Sequence, residues 1–182
     1  REIQNPDCFM VIPSFSSEHR KYIPIGFLSS ETIATNLVLI IPNATLYHFG
    51  ILNSNVHMAW MRAVCGRLKS DYRYSKDIVY NNFPWPTPTE AQKAILDARA
   101  LYPDSSLADL YDEVTMPPEL RKAHQNNDRA VMEAYGFDWR NMSESECVAE
   151  LFKLYQKLVE AEQSQGEAKP KRARKKKTEV DN

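Results

Sequence analysis

Two residue periodicities meet at Gly66, and together they require a fold that contains both helices and strands. Between His48 and Cys65, apolar residues recur every three or four positions, which is typical of an amphipathic helix. Gly66 follows where a left-handed helix cap is expected. From Arg67 to Ser75, charged and uncharged residues alternate, which is typical of an extended strand. The predicted fold class is therefore α+β, a mixed α/β arrangement.

The first half of the chain predicts a small mixed-sheet module. Apolar and β-branched runs separated by polar turns predict the strands, and the run at Leu37–Ile41 is predicted to be central. A polar loop is expected at residues 14–21, and a short helical turn at residues 29–31. The remaining strands are predicted at Cys8–Pro13, Tyr22–Leu28, Thr45–Tyr47 and Ile78–Tyr80. The extended segment Phe83–Pro86 ends the module.

The second half predicts helices. Capping-box patterns at Thr87–Glu90 and Ser143–Glu146 would each begin one, and Gly136 would end another. The helices are predicted from Thr87 to about Tyr102, at Ser106–Glu113, from Pro117 to Tyr135, and from Ser143 towards Gly166 with Val148, Leu151, Phe152, Tyr155, Leu158 and Val159 buried. The predicted domains are therefore residues 1–86, a helical domain at 87–165, and a disordered basic tail at 166–182.

Charge is divided unevenly between these parts. Residues 1–83 hold 8 basic and 6 acidic side chains, residues 84–168 hold 8 and 16, and residues 169–182 hold 7 and 2. The acidic helical part would repel DNA, whereas the stretch from Arg62 to Lys76 is basic. The tail is too polar to bury a core, and it would either contact polyanions non-specifically or act as a solubilising end.

Several functions are not supported by any motif. The longest apolar run is far below the roughly 18 residues that span a bilayer, so no membrane partner is expected. The three cysteines are far apart and the four histidines are scattered, which predicts reduced thiols in a cytoplasmic protein and no metal site. The five glycines stand alone, so no loop for a nucleotide cofactor is predicted. No serine, cysteine or threonine lies in a nucleophile motif, so no catalytic residue is predicted. The Arg1 start suggests a piece of a longer protein.

The alternating segment has a chemistry suited to DNA. On a continuous strand, Lys69, Asp71 and Arg73 would share one face with Arg67, at intervals of about 6.5–7 Å. Lysine and arginine donate to guanine O6 and N7, and aspartate accepts from the cytosine amino group. Tyr72 and Ser75 would then donate to phosphates. The alternative is a non-enzymatic assembly module, in which this segment is a solvated basic edge strand and the acidic helices bind another protein.

Three stretches of the sequence resemble one known family. They are residues 47–60, residues 66–75, which read Gly-Arg-Leu-Lys-Ser-Asp-Tyr-Arg-Tyr-Ser, and residues 80–86, which read Tyr-Asn-Asn-Phe-Pro-Trp-Pro. Together they are similar to the C-terminal part of MmeI-like DNA methyltransferases of type IIG or IIL restriction–modification systems. The helical pattern around Met116–Leu120 and Ala134–Gly136 fits the same family.

The resemblance implies a role within a larger enzyme. A catalytic domain elsewhere in the parent chain would bind S-adenosylmethionine and methylate adenine N6, with or without a fused endonuclease. Residues 1–86 would be its DNA target-recognition domain, and the partners would be double-stranded DNA and that catalytic domain. The family's base-reading positions match Lys69, Asp71 and Arg73. Asn36 and Leu37, expected at a helix-to-strand junction, are further candidates for reading a neighbouring base. Phosphate contacts are expected from Arg20, Lys21, Arg62 and Arg67.

Overall fold

The computed structural model describes residues 8–86 and 93–167. The predicted helix start at Thr87–Glu90 and the basic tail from residue 168 onward lie outside the described residues. The strands are β1 (Cys8–Pro13), β2 (Phe15–Ser16), β3 (Gly26–Ser29), β4 (Val38–Pro42), β5 (Gly66–Leu68) and β6 (Asp71–Arg73). The helices are α1 (Leu46–Leu52), α2 (Asn55–Val64), a π-helical turn (Lys76–Tyr80), α3 (Lys93–Ala100), α4 (Leu107–Leu110), α5 (Pro118–Ala134) and α6 (Glu144–Glu167).

The strands form two small sheets, and the predicted α+β class is confirmed. One sheet has the order β3-β1-β4 and the other has the order β2-β6-β5, with every described pairing antiparallel. The strand predicted at Cys8–Pro13 is confirmed and is the central one. The prediction that Leu37–Ile41 is central is wrong, because β4 pairs on one side only and its apolar residues are half-buried.

The predicted single helix from His48 to Cys65 is two helices. Asn53 donates from its side chain to Phe49 O over 2.8 Å, and Ser54 donates to Ile51 O over 2.6 Å, so these side chains occupy helix-end carbonyls. Ser54 also caps α2 by accepting from the His57 amide. The predicted strand at Thr45–Tyr47 is wrong for a similar reason, since Thr45 is the N-cap of α1.

Four more local predictions differ from the structure. Gly66 is not a helix cap, because α2 ends in an extended Cys65 and Gly66 begins β5. Tyr22, Ile23 and Ile25 are buried but lie outside the described strand pairings, so this strand begins only at Gly26. Ser29 ends β3, and residues 30 and 31 form a turn rather than the start of a helix. The strand predicted at Ile78–Tyr80 is part of the π-helical turn, which Ser75 caps by accepting from the Ile78 amide.

The helical part follows its capping signals. Gly136 has a φ of 73° just after α5, as its position predicts. At the start of α6, Ser143 and Glu146 exchange side-chain to backbone hydrogen bonds of 2.8 and 3.3 Å, so this capping box is confirmed. On α6, Leu151 is buried, but Phe152 and Leu158 are 44% and 52% exposed, so their predicted burial is wrong.

One hydrophobic core joins the sheets, the α1–α2 pair and the C-terminal helices. Helix α5 also holds the α1–α2 break through polar contacts. Asp128 accepts from the Asn55 amide over 2.8 Å and from the Tyr22 hydroxyl over 2.6 Å. Asn127 donates to Gly50 O over 2.8 Å. These contacts from α5 therefore fix the position of α1 and α2, the two helices that precede the alternating segment.

Candidate nucleic-acid interface

The alternating segment Arg67–Ser75 is a β-hairpin rather than one extended strand. Leu68 pairs with Asp71, so the chain reverses through the two-residue turn Lys69–Ser70. Lys69 has a φ of 56°, which is a left-handed conformation. The prediction that Lys69, Asp71 and Arg73 follow one another along one strand face is therefore wrong. Lys69 projects from the turn, and Asp71 and Arg73 lie on β6.

The strand register assigns each side chain to one of two faces, because directly opposed residues in an antiparallel pair share a face. Arg67 and Ser16 both pair with Tyr72, and these three form the inner face. The predicted placement of Arg67 beside Asp71 is wrong, because the turn inverts the alternation. The outer face consists of Phe15, Gly66, Leu68, Asp71 and Arg73.

The inner face holds the hairpin together. Tyr72 is only 6% exposed, and the Arg67 guanidinium carbon lies 4.2 Å from its ring centroid. Arg67 also donates to Ser70 O over 2.9 Å and lies 4.0 Å from the Glu18 carboxylate. The Tyr72 hydroxyl is 3.5 Å from Glu18 O. Both residues, predicted as phosphate contacts, thus have structural partners within the hairpin and the preceding loop.

The outer face and the turn present unpaired charges. Lys69, Asp71 and Arg73 are exposed. Within residues 8–86 and 93–167, no hydrogen bond or ion pair engages their side chains. Two cations and one carboxylate are therefore available to a ligand. Such a set can donate to guanine and accept from cytosine in a major groove.

Ser14 connects this hairpin to the other predicted base-reading segment. Its amide donates to Leu37 O over 2.9 Å, and its carbonyl accepts from the Tyr74 amide over 2.9 Å. Asn36 and Leu37 are exposed and form a turn before β4, so the predicted helix-to-strand junction is a turn-to-strand junction. Leu37 and Tyr74, the residue that follows β6, are therefore both hydrogen-bonded to the backbone of Ser14.

The end of β6 is anchored in the core. The Tyr74 hydroxyl and His57 Nε2 are 2.9 Å apart, and the His57 ring stacks edge-on against Phe83 with centroids 4.6 Å apart. Burial lowers the pKa of His57 to about 3, so its imidazole is neutral at pH 7. Burial also raises the pKa of Tyr74. A neutral, buried pair gives the hairpin a rigid base.

The remaining predicted residues are divided between two places. Arg20 and Lys21 lie in the loop that also carries Glu18, so this loop and the hairpin are in contact. Lys21 Nζ is 5.5 Å from the Tyr22 ring centroid. Arg62 is not in this group, because it donates to both Glu144 carboxylate oxygens, over 2.7 and 2.9 Å, and so joins α2 to α6.

Sequence reasoning missed two residues of the outer face. Phe15 and Leu68 are 39% and 56% exposed and lie on the same face as Asp71 and Arg73. A recognisable two-residue turn motif after Leu68 would have predicted the hairpin and so placed Leu68 on this face. Lys69-Ser70 lacks the glycine or asparagine that normally marks a two-residue turn. Phe15 falls in a segment whose polar composition predicts a loop.

In the part of the chain that the structure describes, there is neither a metal site nor a membrane-spanning helix. No group of three or more histidine, cysteine, aspartate or glutamate residues is placed to hold a metal ion there. None of the described helices is long and apolar enough to cross a membrane. The three cysteines form no disulfide, and Cys147 is buried.

Known protein families and relatives match most of this chain. Residues 1–87 match the family model of the MmeI target recognition domain, and residues 89–161 match that of the MmeI C-terminal domain. DNA methyltransferase A of Bacillus subtilis (strain 168) is 44% identical over 158 residues, which are 83% of this chain and 18% of that protein. A solved structure of the type IIL restriction–modification enzyme MmeI in complex with DNA is 48% identical, with a TM-score of 0.81 over 87% of this chain and 22% of that one. The chain therefore spans about a fifth of the length of these relatives.

Proposed function

The chain belongs to the MmeI family, and from that premise we propose that it selects the DNA sequence on which a larger, site-specific DNA methyltransferase acts. Residues 1–86 are the recognition domain in this proposal, and residues 87–165 are the helical domain that supports it. A relative named as a DNA methyltransferase and a similar structure solved with DNA support the proposal.

The observation that carries the proposal is the set of unpaired charges on the hairpin. Lys69 in the turn would donate to guanine, and Asp71 would accept from the amino group of the paired cytosine, so that the two together read one G·C pair. Arg73, two residues further along β6, would read a neighbouring base. Asn36 and Leu37 would approach another base from the turn that Ser14 links to the hairpin.

Phosphate contacts would orient the hairpin without reading sequence. Arg20 and Lys21 would make such contacts from the loop beside the hairpin, and Ser75 would donate its hydroxyl proton while its oxygen caps the π-helical turn. Arg67 and Tyr72 would contact phosphates only while they also maintain the inner face. An aspartate among these cations adds specificity rather than affinity, because phosphates repel it.

The chemistry itself would belong to the rest of the parent chain. We propose that its catalytic domain binds S-adenosylmethionine and transfers the methyl group to N6 of an adenine that is flipped out of the duplex. The present chain would hold the duplex in one register, so that this adenine lies at a fixed distance from the bases that it reads. We also propose a cytoplasmic location, which the absence of disulfides supports.

The test is a charge exchange in the complete parent gene. Lys69→Glu combined with Asp71→Arg reverses the donor and acceptor pattern, so we expect the methylated motif to change at one G·C position. The measurement is modification-sensitive sequencing of N6-methyladenine in DNA from cells that express each protein. Methylation of the same motif by the double variant would refute the assignment.

A matched control keeps the number of charge exchanges constant. Arg129 and Glu133 form an exposed ion pair of 2.8 Å along one face of α5. Arg129→Glu combined with Glu133→Arg restores a pair of opposite orientation, so the methylated motif should stay that of the wild type. A changed motif in this control would show that the assay responds to general electrostatics.

A further inference from the structure

The outer face of the hairpin carries an exposed leucine beside its carboxylate. Leu68 is 56% exposed and pairs directly with Asp71. Directly opposed side chains in an antiparallel pair have Cβ atoms about 4.5–5.5 Å apart. We propose that Leu68 is a further specificity-determining residue, which contacts the 5-methyl group of a thymine in the major groove. The inference rests on the proposed DNA-reading function of this hairpin.

Exposure alone does not support the assignment, because single exposed leucines are common on protein surfaces. The position of Leu68 does. It precedes the turn residue Lys69 and opposes Asp71, so it lies at the tip that would enter the groove first. Successive base pairs are about 3.4 Å apart along each strand. A base that contacts Asp71 therefore has its neighbour within reach of Leu68.

The chemistry of the groove selects the ligand. The thymine 5-methyl group is the apolar feature among base edges that otherwise present donors and acceptors. A leucine that covers a base donor or acceptor removes that polar atom from water without replacing its hydrogen bond, whereas a leucine that covers a methyl group buries apolar surface at no such cost. Phe15 shares the outer face but pairs with Arg73, two residue pairs away from the tip, so Leu68 is the apolar side chain directly opposite Asp71.

The test removes one methyl group from the DNA and then the leucine from the protein. Duplexes carry the methylated motif of the full-length protein, with each thymine replaced in turn by uracil, which lacks only the 5-methyl group. Equilibrium binding is measured by fluorescence anisotropy at one fixed salt concentration. The wild type should bind about fourfold more weakly to the uracil duplex at one position, which corresponds to one buried methyl group.

The substitution Leu68→Ala should abolish that difference at the same position. It should bind the thymine duplex as weakly as the wild type binds the uracil duplex, and it should fold normally because Leu68 is exposed. Leu101→Ala is the matched control, since Leu101 is 63% exposed and follows α3, outside both sheets. That control should keep the fourfold difference.

Two results would overturn the inference while leaving the proposed function intact. The first is specific binding by the wild type with no sensitivity to uracil at any thymine. The second is a Leu68→Ala protein that keeps the fourfold difference, even if its overall affinity is lower, because that pattern would mean a packing role. Failure of the proposed function has another signature: the wild type would not distinguish its motif from unrelated duplexes at all.

Discussion

Asp128 is a buried carboxyl group whose charge should make the fold sensitive to pH. It is 8% exposed on α5 and accepts hydrogen bonds from the Tyr22 hydroxyl and the Asn55 amide. Burial raises the pKa of Asp128 from 3.8 to about 6, and this effect outweighs the two hydrogen bonds, which lower it. The folded chain therefore keeps a proton that the unfolded chain releases between these two values.

The direction and size of the effect follow from that difference. The stabilisation by the retained proton is complete below pH 3.8, and it is lost as the pH rises through 6. A difference of about two pKa units corresponds to about 3 kcal/mol, of which about 2 kcal/mol falls between pH 4.5 and pH 7.5. Asp128→Asn removes the titration, keeps an acceptor for the Asn55 amide, and loses the Tyr22 acceptor at a pH-independent cost of about 1 kcal/mol.

The assay is urea unfolding at a series of pH values, followed by the fluorescence of the buried Trp60. The free energy of unfolding of the wild type, minus that of Asp128→Asn, should fall by about 2 kcal/mol from pH 4.5 to pH 7.5. Asp138→Asn is the control that should give a constant difference over this pH range, because a hydrogen bond from Asn141 lowers the pKa of the exposed Asp138 and places its titration below 3.8. A constant or rising difference for Asp128→Asn would refute the reasoning.

Two further predictions concern single residues. Arg62→Ala breaks a partly exposed ion pair with Glu144, so it should lower the free energy of unfolding by at most about 1 kcal/mol and leave the salt dependence of DNA binding unchanged. A log–log salt slope less negative by about 0.9 would instead identify Arg62 as a phosphate contact. Gly136→Ala places a Cβ at a φ of 73°, where no atom lies within 4 Å, and should destabilise the fold by about 1 kcal/mol through backbone strain. Thermal unfolding measures both effects, and Gly136→Asn should lower the unfolding midpoint less than Gly136→Ala does. An unchanged midpoint for Gly136→Ala would contradict the prediction.

The parts of the fold that could be predicted from sequence are those fixed by local chemistry. The strand Cys8–Pro13, the glycine end of α5 and the capping box of α6 each depend on a few neighbouring residues. The break at Asn53–Ser54 could not be predicted in this way, because the apolar spacing continues through both helices. It depends on side chains that compete for helix carbonyls and on Asp128, which is far away in sequence and binds the Asn55 amide.

The hairpin shows why local alternation gave part of the candidate site and missed the rest. Alternation assigns faces correctly within one strand, so Asp71 and Arg73 share the outer face as predicted. Across the turn, Leu68 pairs with Asp71, three residues later, and the odd and even positions exchange faces. Arg67 is thereby moved to the inner face, where it stacks on Tyr72, and Leu68 takes the place beside Asp71. The outer face consequently carries two charges and the apolar side chains of Leu68 and Phe15, and Leu68 is the one directly opposite Asp71.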